Sequence, residues 1–141
     1  MIVVDGVALQ SNLETPSSII NFWQNVVGEW LKLGHGRDFV VLVRESQRIA
    51  LPGDTVIAVI PDYSYEGAES DHVGLQSACD QLKATLFIST LYTYPLKTPS
   101  VAMVYSVDES QEFLSNLAAQ EKHNSILNAS AFICPSEWVA S

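Results

Sequence analysis

The chain has 141 residues, 48% of them apolar, enough for one domain with an ordinary hydrophobic core, and no stretch reads as low-complexity. Sixteen acidic against seven basic side chains give a formal net charge of -9. A field of that sign repels phosphate backbones and anionic lipid surfaces, so nucleic acid is not an expected partner.

Ile2 to Asp5 is a short β-branched run ending in Asp-Gly, a buried first strand that leaves the sheet into a loop. From Ser18 the period changes, and Ile19, Ile20, Trp23, Val26, Val27, Trp30 and Leu31 form one apolar face of a helix closed by Gly34 and Gly36. Phe39 to Val43 and Thr55 to Ile60 are continuous apolar runs on either side of a Pro52-Gly53 turn, and both read as inner strands. Ala68, His72, Leu75, Cys79 and Leu82 share one stripe of a second helix that must face the sheet.

Leu86 to Ser89 and Val101 to Tyr105 are the next strands, joined by a segment containing Pro95 and Pro99. Asp108 with Gln111 makes a capping box for a helix marked by Phe113, Leu114, Leu117, Ile126 and Leu127 and ending near Asn128. Ala131 to Cys134 is a last strand, and Ser136 caps a turn beginning at Glu137. Strands with intervening helices in the order β-α-β-β-α-β-β-α-β predict an α/β fold: one Rossmann-like three-layer domain over residues 1–141, with a mostly parallel sheet of about six strands.

No basic n-region or cleavage site opens the chain, and the apolar runs fall far short of the ~20 residues of a membrane helix. Cys79 and Cys134 sit in apolar patterns and read as reduced, buried thiols. A cytoplasmic location with no membrane span is therefore expected.

Ligands of open α/β sheets bind beyond the carboxyl ends of the strands. Four segments lie there: Asp5 to Thr15, Asp62 to Glu66, Ser89 to Tyr94, and Ser106 to Glu109. Tyr63, Tyr65, Tyr92 and Tyr94 offer stacking faces and hydroxyls, while Asp62, Glu66, Asp108 and Glu109 offer acceptors, a combination suited to a sugar or another polyhydroxylated ligand. The same residues can also be polar loop positions with Tyr bodies packed on the rim.

Asp5-Gly6-Val7-Ala8 is not a glycine-rich dinucleotide fingerprint, and no phosphate loop or Gly-x-Ser-x-Gly elbow occurs. His35, His72 and His123 lack ligand-like spacing, so no metal or cofactor is expected, and His72 reads as core-facing. A receiver-like signalling domain would need an acidic pair after the first strand and a lysine after the fifth. This chain has Asp5 alone and Tyr105-Ser106 at those points.

Several segments together resemble the N-terminal, acceptor-side domain of retaining GT-B glycosyltransferases, the family 4-like group that includes mannosyltransferases and glycogen synthases. The segments are Val3-Val4-Asp5-Gly6, Ser18 to Trp23, Phe87 to Thr93, Thr98 to Tyr105, and Asn128 to Glu137, and they span nearly the whole chain. The resemblance implies a sugar acceptor bound near Asp62, Tyr63, Tyr65, Tyr92, Tyr105, Ser106, Asp108 and Glu109, with Asp5, Gly6, Ser18 and Asn21 around the loop after the first strand. Ser18 and Asn21 replace the family's loop glycine and arginine, and Ser106 replaces an acid.

Two glutamates eight positions apart mark that family's donor-binding half, and no such pair occurs here. The resemblance thus implies a domain that transfers no sugar alone and works with a C-terminal donor-binding domain. A non-catalytic protein-interaction module on the same fold is the alternative. The segment Ser136-Glu137-Trp138-Val139-Ala140 is expected to dock against that second domain or a self-associated copy, or to fold Trp138 back on its own domain.

Overall fold

The computed structural model describes residues 1–47, 50–64, 66–105 and 116–133. Its elements in chain order are β1 (Ile2–Asp5), α1 (Ser17–Lys32), β2 (Phe39–Arg44), β3 (Ile57–Ile60), α2 (Ala68–Gln81), β4 (Leu86–Ser89), β5 (Ser100–Met103), α3 (Asn116–Asn128) and β6 (Ala131–Ile133). A 3-10 turn at Val7–Leu9 follows β1. The six strands form one all-parallel sheet in the order β3-β2-β1-β4-β5-β6, the Rossmann-like arrangement expected from the sequence. The proposed capping box at Asp108, together with Phe113, Leu114, Cys134 and Trp138, lies outside the described residues.

Parallel register decides which side chains share a face. Val3 pairs with Val40 and Phe87, and Asp5 with Leu42 and Ser89, so these point one way and Val4, Val41 and Ile88 the other. Ile19, Trp23 and Val27 of α1 cover Val4, Phe39, Val41 and Ile88. Leu75 and Cys79 of α2 cover Val3, Leu42 and Phe87 on the opposite face. Each large apolar side chain removed from water in this way contributes about 1.5–3 kcal/mol. The α2 stripe matches the expected one, with Leu82 packed at its end. An edge-to-face run of Phe22, Trp23, Trp30 and Phe39, with centroids 5.4, 6.4 and 5.2 Å apart, fixes α1 on the sheet.

One expectation is corrected. The run ending at Ile60 is not an inner strand: β3 is a sheet edge, and Ile57 and Val59 are 51% and 64% exposed on the α1 side. Among the described residues no helix lies between β2 and β3, so that side of β3 has no covering layer. Ala58 and Ile60 on the other side still pack against the α2 cluster.

Both helices α1 and α2 end in the same hydrogen-bonded cap. After α1, His35 N–H bonds Trp30 O at 3.0 Å and Gly34 N–H bonds Leu31 O at 3.1 Å, with Gly34 at φ +87°. After α2, Ala84 N–H bonds Cys79 O at 2.8 Å and Lys83 N–H bonds Asp80 O at 3.3 Å, with Lys83 at φ +54°. This left-handed position favours glycine because it has no Cβ to strike the following carbonyl. No helix among the described residues is long and apolar enough to cross a membrane.

Candidate functional site at the strand ends

The register that points Asp5 towards α2 does the same for Arg44, two residues beyond Leu42 at the end of β2. Asp71, in the first turn of α2, completes the group. Arg44 Nε donates to Asp5 Oδ1 at 3.1 Å and Nη2 to Asp5 Oδ2 at 2.6 Å. Nη2 also donates to Asp71 Oδ2 at 3.2 Å, while Nη1 reaches Asp71 Oδ1 at 2.5 Å and Pro61 O at 2.9 Å. These bonds use all five guanidinium N–H groups. The Arg44 side chain is 1% exposed and that of Asp5 0%.

The loop after β4 locks the second carboxylate oxygen. Thr93 Oγ1 donates to Asp5 Oδ2 at 2.6 Å, which spends its only proton. Ser89 Oγ must therefore donate to Thr93 Oγ1 at 2.6 Å, while accepting the N–H groups of Leu91 and Thr93 at 3.1 and 2.9 Å. Burial pulls the Arg44 guanidinium down, yet the Asp5 and Asp71 carboxylates more than offset this and hold it above its ordinary range. Burial raises the Asp71 carboxyl despite its Arg44 bonds, and the nearby negative charge of Asp5 adds to the rise. Asp5 and Arg44 are a buried structural ion pair in which every guanidinium N–H is already bonded.

The crevice between the ends of β1 and β4, where the strand order reverses, is the usual ligand position of this fold. Here the turn after β1 is tied to the loop after β4, and Val7, Ala8 and Leu9 are buried, none more than 2% exposed. Ala8 N–H donates to Thr90 Oγ1 at 2.9 Å, and that hydroxyl donates to Asp5 O at 2.7 Å. Gly6 packs against β2: its N–H bonds Leu42 O at 2.9 Å, and a Cβ there would lie 3.0 Å from the same oxygen. Its glycine serves close packing rather than approach to a phosphate.

The tyrosines divide. Tyr105 Oη donates to Thr90 O at 2.6 Å and accepts Trp23 Nε1 at 2.5 Å. Tyr92, at φ +54°, packs edge-on to Tyr105 at 6.3 Å with Lys122 Nζ 5.6 Å from its ring centre. Burial pushes both phenols well above their usual range. Tyr63 is buried beneath Arg44, 5.8 Å from ring to guanidinium, with its backbone held at both ends by Gln10 at 2.7 and 2.8 Å. The Tyr94 ring is half-buried and stacks on His72 at 3.9 Å.

What stays open is the rim. Asp62 is exposed, accepting Ser46 N–H at 2.9 Å, and with Ser64, Pro61 and Gly67 it borders a cleft of about 320 Å³ whose floor is Arg44 and Asp71. Ser18 and Asn21 are exposed on the first turns of α1. Glu66 is exposed beside the start of α2. The structure thus joins Asp5 to the buried network and pairs Tyr92 with Tyr105, while leaving Asp62 on the surface. Tyr65, Ser106, Asp108 and Glu109 lie outside the described residues.

Sequence reading missed Arg44 and Asp71, whereas Thr90 and Thr93 fall within the strand-end segment Ser89 to Tyr94. The available signal was an arginine ending an uninterrupted apolar strand, a position that is rarely buried without a carboxylate partner. Among the described residues no group of three His, Cys, Asp or Glu side chains converges as a metal site. No family model, curated protein or solved structure matches the chain significantly. It is an α/β domain with a six-stranded, all-parallel sheet of Rossmann-like order.

Proposed function

We propose that this domain is the acceptor-side half of a glycosyltransferase that uses a nucleotide-sugar donor, and that these 141 residues alone transfer no sugar. The observation that carries the reading is the coincidence of resemblance and topology. The resembling segments fall on the end of β1, the first turns of α1, the β4-loop-β5 unit and β6 of an all-parallel sheet. The closed ends of β1 and β4 support the second part, because among the described residues Val7 and Ala8 are buried there and Ala8 N–H is bonded to Thr90 Oγ1 at the position where this fold usually takes a nucleotide. A donor-binding domain, in the same polypeptide or another, would complete the cleft.

Asp62, Ser64 and the Tyr94 edge are then the accessible polar groups for a sugar acceptor. The test is a glycan array probed with the 141-residue chain, followed by incubation of any bound glycan with a panel of nucleotide sugars. Glycan binding without transfer is expected. Turnover by these residues alone would refute the proposal.

A non-catalytic interaction module is the second reading, favoured by the saturated Asp5–Arg44 pair and the exposed apolar edge at Ile57 and Val59. Binding to no glycan would put it ahead. Two observations weigh against a receiver-like domain: such folds follow the order 2-1-3-4-5, and Asp5 is sealed from any phosphoryl donor.

A further inference from the structure

We infer that β3 is a pairing edge for a second copy of this chain, joined antiparallel about a two-fold axis at Ala58. β3 ends the sheet and has β2 on one side only. Val41 N–H bonds Val56 O and Glu45 N–H bonds Ile60 O, both at 3.0 Å, which sets the phase of the parallel ladder. Peptide groups alternate in direction along a strand, so those of Ala58 and Ile60 turn to β2 and those of Ile57 and Val59 turn outward. No described residue bonds these outward groups.

The open stretch is short and closed at both ends. Thr55 N–H is already bonded to Pro52 O at 3.0 Å, and Pro61 has no N–H. What remains is one N–H and one C=O from each of Ile57 and Val59, placed evenly about Ala58. Under a two-fold axis there, Ile57 of each copy meets Val59 of the other and exchanges both bonds, so every outward group finds a partner. A second copy thus supplies a window of the same length and spacing.

The side chains agree with this register. Ile57 and Val59 are 51% and 64% exposed on the α1 side, and the axis gathers them into one apolar cluster. On the α2 side the small Ala58 meets its own copy, and Val56, 49% exposed, meets Ile60. Residues 56–60 carry no charge, proline or bulge, the devices that keep an exposed edge from pairing.

The same observations limit its strength. One strand edge with three exposed apolar side chains is smaller than the ~800 Å² per partner of a standard stable interface. The axis also brings Asp54 of one copy towards Asp62 of the other, both exposed, on molecules of net charge -9. Association is therefore weak, reversible and strengthened by salt.

The experiment is sedimentation equilibrium of the full 141-residue chain from about 10 μM to 1 mM, at about 0.05 and 0.5 M salt. The expected result is a monomer–dimer equilibrium with a dissociation constant on the order of 0.1–1 mM at the higher salt and several-fold weaker at the lower. Val59→Lys sets a charge in the apolar cluster and should leave a monomer with an unchanged circular dichroism spectrum. Asp54→Lys turns the repulsive end pair into an attractive one and should tighten the dimer about tenfold. In a mixture of labelled and unlabelled chains, Ala58 should show an intermolecular Hα–Hα contact, as a non-hydrogen-bonded antiparallel pair does. A wild type that stays monomeric throughout would overturn the inference, as would a dimer that Val59→Lys leaves intact or that Asp54→Lys weakens.

Discussion

Arg44 holds three elements together. Its five bonds satisfy two carboxylates and a carbonyl at the meeting point of β1, β2 and α2. Arg44→Leu would strand the fully buried Asp5 carboxylate, and urea denaturation should show a loss of about 3–5 kcal/mol. Lys83 works in the other direction. It holds φ +54° in a cap where α1 uses Gly34, so Lys83→Gly should raise stability by up to about 1 kcal/mol in the same assay. The tyrosines give a pH signature. Burial raises Tyr92 and Tyr105 in the folded state, so their contribution is intact below the unfolded phenol value of about 10 and lost as pH rises above it. Ultraviolet titration should therefore show part of the phenolate signal appearing only as the chain unfolds in alkali.

Between elements, burial is set by which face has a helix over it. Leu42 of β2 lies under α2, whereas Val59 of β3 lies on the uncovered α1 side. Leu42→Ala should cost about 2–5 kcal/mol and Val59→Lys no more than about 0.5 kcal/mol, as read by thermal or urea melts. That contrast marks where sequence reading stops. The α2 stripe was legible because His72, Leu75 and Cys79 repeat at the helical period, which is a local property. The edge position of β3 is not legible, because an apolar run looks the same in an inner strand and at an edge, and what separates them is a helix elsewhere in the chain. The Asp5–Arg44 pair was illegible for a similar reason. Its members are 39 positions apart and meet only once β1 and β2 are in register, so the sequence showed Asp5 as a strand-end acid and hid that it is already paired.

At the scale of the whole molecule, the strand order gives a fold that usually opens a ligand crevice between β1 and β4, and here the loops after those two strands are bonded to each other through Ala8 and Thr90. On the proposed reading an acceptor would contact the rim, where Asp62 and Ser64 are exposed and Tyr94 is half-buried, and a net charge of -9 would favour a neutral polyhydroxylated ligand over a phosphate. Nitrogen-15 NMR titration of the domain with an oligosaccharide and, separately, with a nucleotide sugar tests this most directly. The account predicts saturable shifts confined to Asp62, Ser64 and Tyr94 with the oligosaccharide, and none at Gly6, Ala8 or Thr90 with the nucleotide sugar. Saturable nucleotide-sugar shifts at Gly6, Ala8 and Thr90 would contradict it, because they would mean the crevice opens and the domain carries its own donor site.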